Sequence, residues 1–162
     1  MANKIVFSMP DDPALLAAVG KVAIRHGQLD HVLRMTVKTI MRLTIREALD
    51  ATERQGSAAL RQRVRKLAKQ KLGEGDALVR LDDLLTRAGR ATKRRNELLH
   101  ALWAAQLDGQ GLIRRDDGKW YDHPTVPELD ALVSDLEAVI RDLNWGRLEG
   151  FLKEALEARD GT

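Results

Sequence analysis

Apolar residues recur at three- and four-residue steps over most of this chain, and that rhythm constrains its fold more than any other feature. Leu15, Val19, Val22, Leu29, Leu33 and Ile40 keep it from Pro13 to about Leu43, with His26 on the same stripe. Such spacing puts the apolar groups on one face of a helix of about 3.6 residues per turn. Asp11-Asp12-Pro13 supplies acid and a proline where a helix N-terminus favours both. The reading is one long helix that tolerates Gly20 and Gly27, then a shorter one from Thr44 to about Arg54.

Gly56-Ser57 interrupts the pattern, and Ser57 is expected to cap a helix that runs to Leu72. Its apolar line is Leu60, Val64, Leu67 and Leu72. The other faces are strongly basic, with no acidic residue between Arg54 and Gly73. Gly73-Glu74-Gly75 ends this helix, and Asp76 is expected to cap the next. That third long helix is expected from Ala77 to about Leu107, with Leu78, Leu81, Leu85, Ala88, Thr92, Leu99 and Leu102 as its stripe. Asp108-Gly109-Gln110-Gly111 would stop it.

Residues 112–115 and 119–121 flank Asp116-Asp117-Gly118 and read as a small β-hairpin. Thr125 and Glu128 make a capping box around Pro127. A last helix follows with Leu129, Leu132, Leu136, Ile140 and Leu143 inward, a bend at Asn144 to Gly146 and fraying after Leu156. These elements predict an all-α protein, an up-and-down bundle of four to five helices with a small β-hairpin inserted before the C-terminal helix. A single domain is expected over residues 1–162, with 1–11 as a flexible N-terminal arm.

Composition supports a folded helical chain. It is 44% hydrophobic and 31% charged, with aromatics at only 4%, a palette poor in the residues that strands favour. The absence of cysteine excludes disulfides, thiolate metal sites and cysteine nucleophiles. No apolar run approaches the roughly 20 residues of a membrane span, and the first ten residues lack the pattern of a secretory signal. A cytoplasmic protein with no membrane partner is expected. Net charge is +3 but unevenly spread, since from Asp122 onward ten acidic residues face four basic ones. The basic remainder suits a polyanionic partner, or it is simply a solvated face.

The segment from Lys93 to His100 places polar groups where the helix should be apolar. Arg95 occupies a step of the stripe between Thr92 and Leu99, while Asn96, His100 and Trp103 share the adjoining face. A buried guanidinium without a partner is costly, so Arg95 needs one, and Asp30 is the candidate partner for Arg95 or His100. A structural arginine paired with an acid, beside a satisfied core histidine, accounts for the same residues. His26 and Asp30 alone do not make a metal site, and none is expected.

Arg95-Asn96-(three residues)-His100 resembles the Arg-Asn-x-x-x-His signature of the HEPN superfamily (higher eukaryotes and prokaryotes nucleotide-binding). That superfamily is a bundle of four or five helices with the motif on a late helix. The resemblance implies a metal-independent endoribonuclease that needs no cofactor and cleaves single-stranded RNA through the 2′-hydroxyl, as a toxin or defence nuclease does. It implies a homodimer whose motif helices meet in a composite site, and an antitoxin or other regulatory partner. It also implies His100 as general acid or base, Arg95 as the clamp on the scissile phosphate and Asn96 as the group that orients them. The residue types suit these roles, because imidazole exchanges protons near neutrality and a guanidinium can hold a phosphorane's charge.

Arg61, Arg65, Lys69 and Arg94 are the candidates for contact with an RNA backbone. Trp120 and Tyr121 would stack a base or pack against the bundle. The alternative function is a non-catalytic helical bundle that serves protein interaction or RNA binding.

Overall fold

In the computed structural model, which describes residues 5–106 and 112–160, helix starts follow local chemistry. Asp12 accepts a hydrogen bond from the Leu15 N–H at 3.0 Å, and Pro13 opens helix α1, Pro13–Met41. A short helix α2, Ile45–Thr52, begins at a capping box: Thr44 Oγ1 accepts from the Glu47 N–H at 3.2 Å, and Glu47 accepts from the Thr44 N–H at 2.7 Å. Thr125 and Glu128 repeat the arrangement ahead of α5, Val126–Leu148. Each box satisfies two N–H groups that a helix start otherwise leaves unpaired.

Two expected caps are corrected. Gly56 holds the cap position of α3, Ser57–Leu72, with no side-chain bond. Ser57 is the first helical residue, and its hydroxyl turns inward to groups on α1. Gly75 likewise precedes α4, Asp76–Leu99, so Asp76 lies inside the first turn, where a carboxylate still favours the helix dipole. Gly73 closes α3 at φ 68, donating its N–H to the Lys69 carbonyl at 3.0 Å. A side chain there would be strained.

The core lies where the apolar stripes converge. Leu29 and Leu33 of α1, Leu60 and Val64 of α3, Leu81 of α4 and Leu132 of α5 are fully buried, each contributing about 1.5–3 kcal/mol of burial. Helix α1 packs along α5 and α3, and α4 packs against both of those. Val19 and Ile140, expected inward, are partly buried against this core. The expected bend near 144–146 is instead a full break after Leu148. Helix α6, Phe151–Asp160, then folds back on α5 and continues past Leu156. An added Cβ at Gly150 would come within 2.4 Å of the Trp145 ring, so the break accommodates only a hydrogen there.

The largest correction concerns α4, which ends at Leu99 rather than near residue 107. The chain then forms strand β2, Leu102–Gln106, between β1, Ile5–Phe7, and β3, Ile113–Arg114, with β4, Trp120–Tyr121, outermost. All three pairings are antiparallel, with Val6 opposite Ala105, Leu102 opposite Arg114 and Ile113 opposite Tyr121. Leu, Trp, Ala and Gln are compatible with a helix by propensity, but pairing on both edges overrides it here. The hairpin is present, as expected, within this sheet. Ile5–Phe7, read as part of an arm, pair with β2, while the expected stop at 108–111 lies outside the described residues. Among the described residues no helix is long and apolar enough to cross a membrane.

Candidate functional site at the end of the fourth helix

The last turn of α4 gathers the three motif residues. Arg95 is half-buried on the inward side, whereas Asn96 and His100 are exposed. The Arg95 Nη1 group donates to Asn96 Oδ1 at 2.9 Å and meets His100 Nε2 at 3.1 Å. A guanidinium has donors only, so His100 Nε2 is the acceptor, and the ring in this arrangement is neutral with its hydrogen on Nδ1. His100 closes the helix, its N–H bonded to the Asn96 carbonyl at 3.0 Å. Trp103, expected on the same helical face, belongs to β2. Its indole donates to the Leu98 carbonyl at 3.0 Å and its ring stacks on His123.

Arg95, Asn96 and His100 line an open cleft of about 980 Å³. Its deeper part comes from α1, α3 and α4, where His26, Asp30, Ser57 and Thr92 form one polar network. The Ser57 hydroxyl donates to Asp30 Oδ1, and the Thr92 hydroxyl donates to the Ala88 carbonyl at 2.9 Å. Both hydroxyl hydrogens are thereby committed. His26 Nε2, at 3.2 Å from Ser57 Oγ and 3.3 Å from Thr92 Oγ1, must therefore donate to both. Burial pushes the His26 pKa below the ordinary imidazole value. The Asp30 carboxylate pulls the other way, while Arg95, Arg61 and His100 reinforce the lowering. The histidine is thus held as a neutral donor.

Of the cations singled out as RNA contacts, Arg61 lines the cleft, with Nη1 donating to Thr92 Oγ1 at 3.2 Å. Burial lowers its pKa, with Asp30 opposing and Arg65 adding to the effect. The other three are drawn into surface pairs: Arg65 with Asp82, Lys69 with Glu74 at 3.0 Å, and Arg94 with Asp135 at 3.1 Å. Asp30 meets Ser57 and His26, at 3.8 Å for the latter, in place of the expected Arg95 or His100.

Sequence reasoning missed Ser57 and Thr92 as site residues, having read one as a cap and the other as a step of the apolar stripe. A hydroxyl amid leucines, on a helix facing a histidine stripe, was the available signal. The hairpin adds Arg115, Asp117 and Tyr121 to the lining. Among the described residues the buried Nε–H groups of Arg95 and Arg115 have no hydrogen-bond partner. Among the described residues no three His, Asp or Glu side chains converge to hold a metal ion. Comparison of the chain with protein-family models, curated protein sequences and solved structures gives no match.

Proposed function

We propose that this protein cleaves single-stranded RNA by attack of a ribose 2′-oxygen on the adjoining phosphorus, breaking the bond to the 5′-oxygen. The observation that carries this reading is the Arg95–His100 contact at 3.1 Å, with Asn96 holding the same guanidinium nitrogen. It sets a fixed positive charge beside an imidazole lone pair on the rim of an open cleft. The guanidinium's charge and its terminal N–H donors hold a phosphate oxygen and stabilise the charge that grows in the phosphorane. Once Arg95 turns to the phosphate, the freed Nε2 of His100 takes the 2′-hydroxyl proton, and RNA supplies its own nucleophile.

The leaving 5′-oxygen needs a proton as well. A second copy that brings its own His100 to the same phosphate as an imidazolium, released from its Arg95 contact, provides it, so the functional unit of this reading is a two-fold homodimer. Its setting is a cytoplasmic toxin or defence nuclease restrained by an antitoxin or other regulatory partner.

The test is incubation of the purified protein with single-stranded RNA in EDTA. A 2′,3′-cyclic phosphate, a 5′-hydroxyl and untouched DNA are the expected products, with His100→Ala slower by roughly 10²–10⁴-fold. RNA binding without cleavage would replace the nuclease with a binding module. A folded protein that neither binds nor cuts would leave the interaction scaffold.

A further inference from the structure

Tyr121 is held within its own hairpin. Its hydroxyl donates to Asp117 at 2.6 Å, and Asp117 also accepts from the Lys119 N–H at 2.9 Å across the turn. The ring is therefore fixed to the hairpin's own backbone. The Arg115 guanidinium lies over that ring at 4.2 Å from its centroid. Arg115 Nε is buried and has no hydrogen-bond partner among the described residues. Trp103 packs against the bundle core, whereas Tyr121 is not part of that core. Instead Tyr121 and Arg115 line the cleft that holds Arg95 and His100. Trp120, on the opposite face of β4, does not.

We infer that the Arg115–Tyr121 pair is a nucleobase subsite, a stacking platform for the base next to the phosphate bound at Arg95. Bases stack on aromatic rings and on guanidinium planes alike, and with Arg115 already stacked over the Tyr121 ring, a base extends the stack on the outer face of the guanidinium. The placement of the scissile phosphate rests on the nuclease reading above, whereas stacking itself does not.

The experiment uses the full chain and a fluorescent 2′-O-methyl oligoribonucleotide, whose nucleophile is blocked, with a single abasic position moved along it. Anisotropy should find one position at which losing the base costs about ten-fold in affinity. Arg115→Ala and Tyr121→Ala should lose a similar factor on the intact strand and no longer sense the abasic position. Tyr121→Phe, which keeps the ring, should behave like the parent. A flat abasic scan on a protein that still cuts RNA overturns the subsite and leaves the nuclease. A position-dependent loss without any cleavage keeps the subsite and removes the nuclease. Absence of binding removes both. Should Tyr121→Ala fail to fold, the abasic scan of the parent protein decides the matter alone.

Discussion

Arg95 and His100 touch across the turn where α4 ends, Nη1 to Nε2 at 3.1 Å, and each thereby fixes where the other points. Arg95→Lys keeps the charge but gives up the planar guanidinium, whose Nη1 meets Asn96 and His100 while its other N–H donors remain for a phosphate. Its cleavage rate should fall between that of the parent and that of Arg95→Ala, which loses roughly 10²–10³-fold. Asn96 and His100 are exposed, so alanine at either should leave urea unfolding within about 0.5 kcal/mol of the parent. Rates and unfolding midpoints on the same preparations check both statements.

Arg61 should matter to RNA affinity more than its neighbours on α3. It reaches into the cleft, whereas Lys69 is engaged by Glu74. Arg61→Gln should weaken binding and reduce the slope of log affinity against log salt by about 0.7, the single-strand value per phosphate contact. Lys69→Gln should leave the slope near that of the parent. Equal slopes for the two variants would place the backbone track elsewhere on the surface.

The buried, neutral His26 should make stability depend on pH in a defined direction. Its folded pKa lies below the ordinary 6.5, chiefly through burial, with Asp30 opposing and Arg95, Arg61 and His100 reinforcing. The unfolded chain therefore binds a proton that the folded one resists. Stability should be fully present above about pH 6.5 and fall on acidification toward the folded value, by at most about 1.4 kcal/mol per pH unit. His26→Gln removes the titration while keeping a donor for Ser57 and Thr92. The difference between the two proteins in urea unfolding from pH 7.5 to 5 should show that slope, since His31, His100 and His123 remain in both.

Gly150→Ala should destabilise the join between α5 and α6. Its Cβ would sit 2.4 Å from the Trp145 ring, and relieving such an overlap costs about 1–3 kcal/mol. Trp145 fluorescence during urea unfolding reports the change. An unaltered midpoint would mean that the ring swings aside freely.

The sequence was informative wherever one element's own residues decide the outcome. The stripes of α1, α3 and α5, the box at Thr125 and the gathering of Arg95, Asn96 and His100 are all of that kind. It was silent where a distant partner decides. Nothing local in Leu102 to Gln106 resists helix, and only the pairing with Ile5–Phe7 and the hairpin makes it a strand. Ser57 has the chemistry of a cap, and its hydroxyl serves Asp30, 27 residues away, because α1 brings that carboxylate alongside. Arg61, Arg65 and Lys69 look alike on paper, and the acids of neighbouring segments separate them.

The handover from α4 to β2 divides the chain's tolerance of insertions and deletions. A residue added in the connection after Leu72 would be absorbed by the turn, because the helices on either side keep their own registers. One added between His100 and Leu102 would not be. A strand slipped by one residue presents its opposite face, so Ala104, now buried, would exchange places with a neighbour while the hairpin moved with it. His100 would stay on its helix as Arg115 and Tyr121 shifted away. The length of this joint, more than any single side chain, is what evolution or an engineer would have to conserve to keep the two walls of the cleft in step.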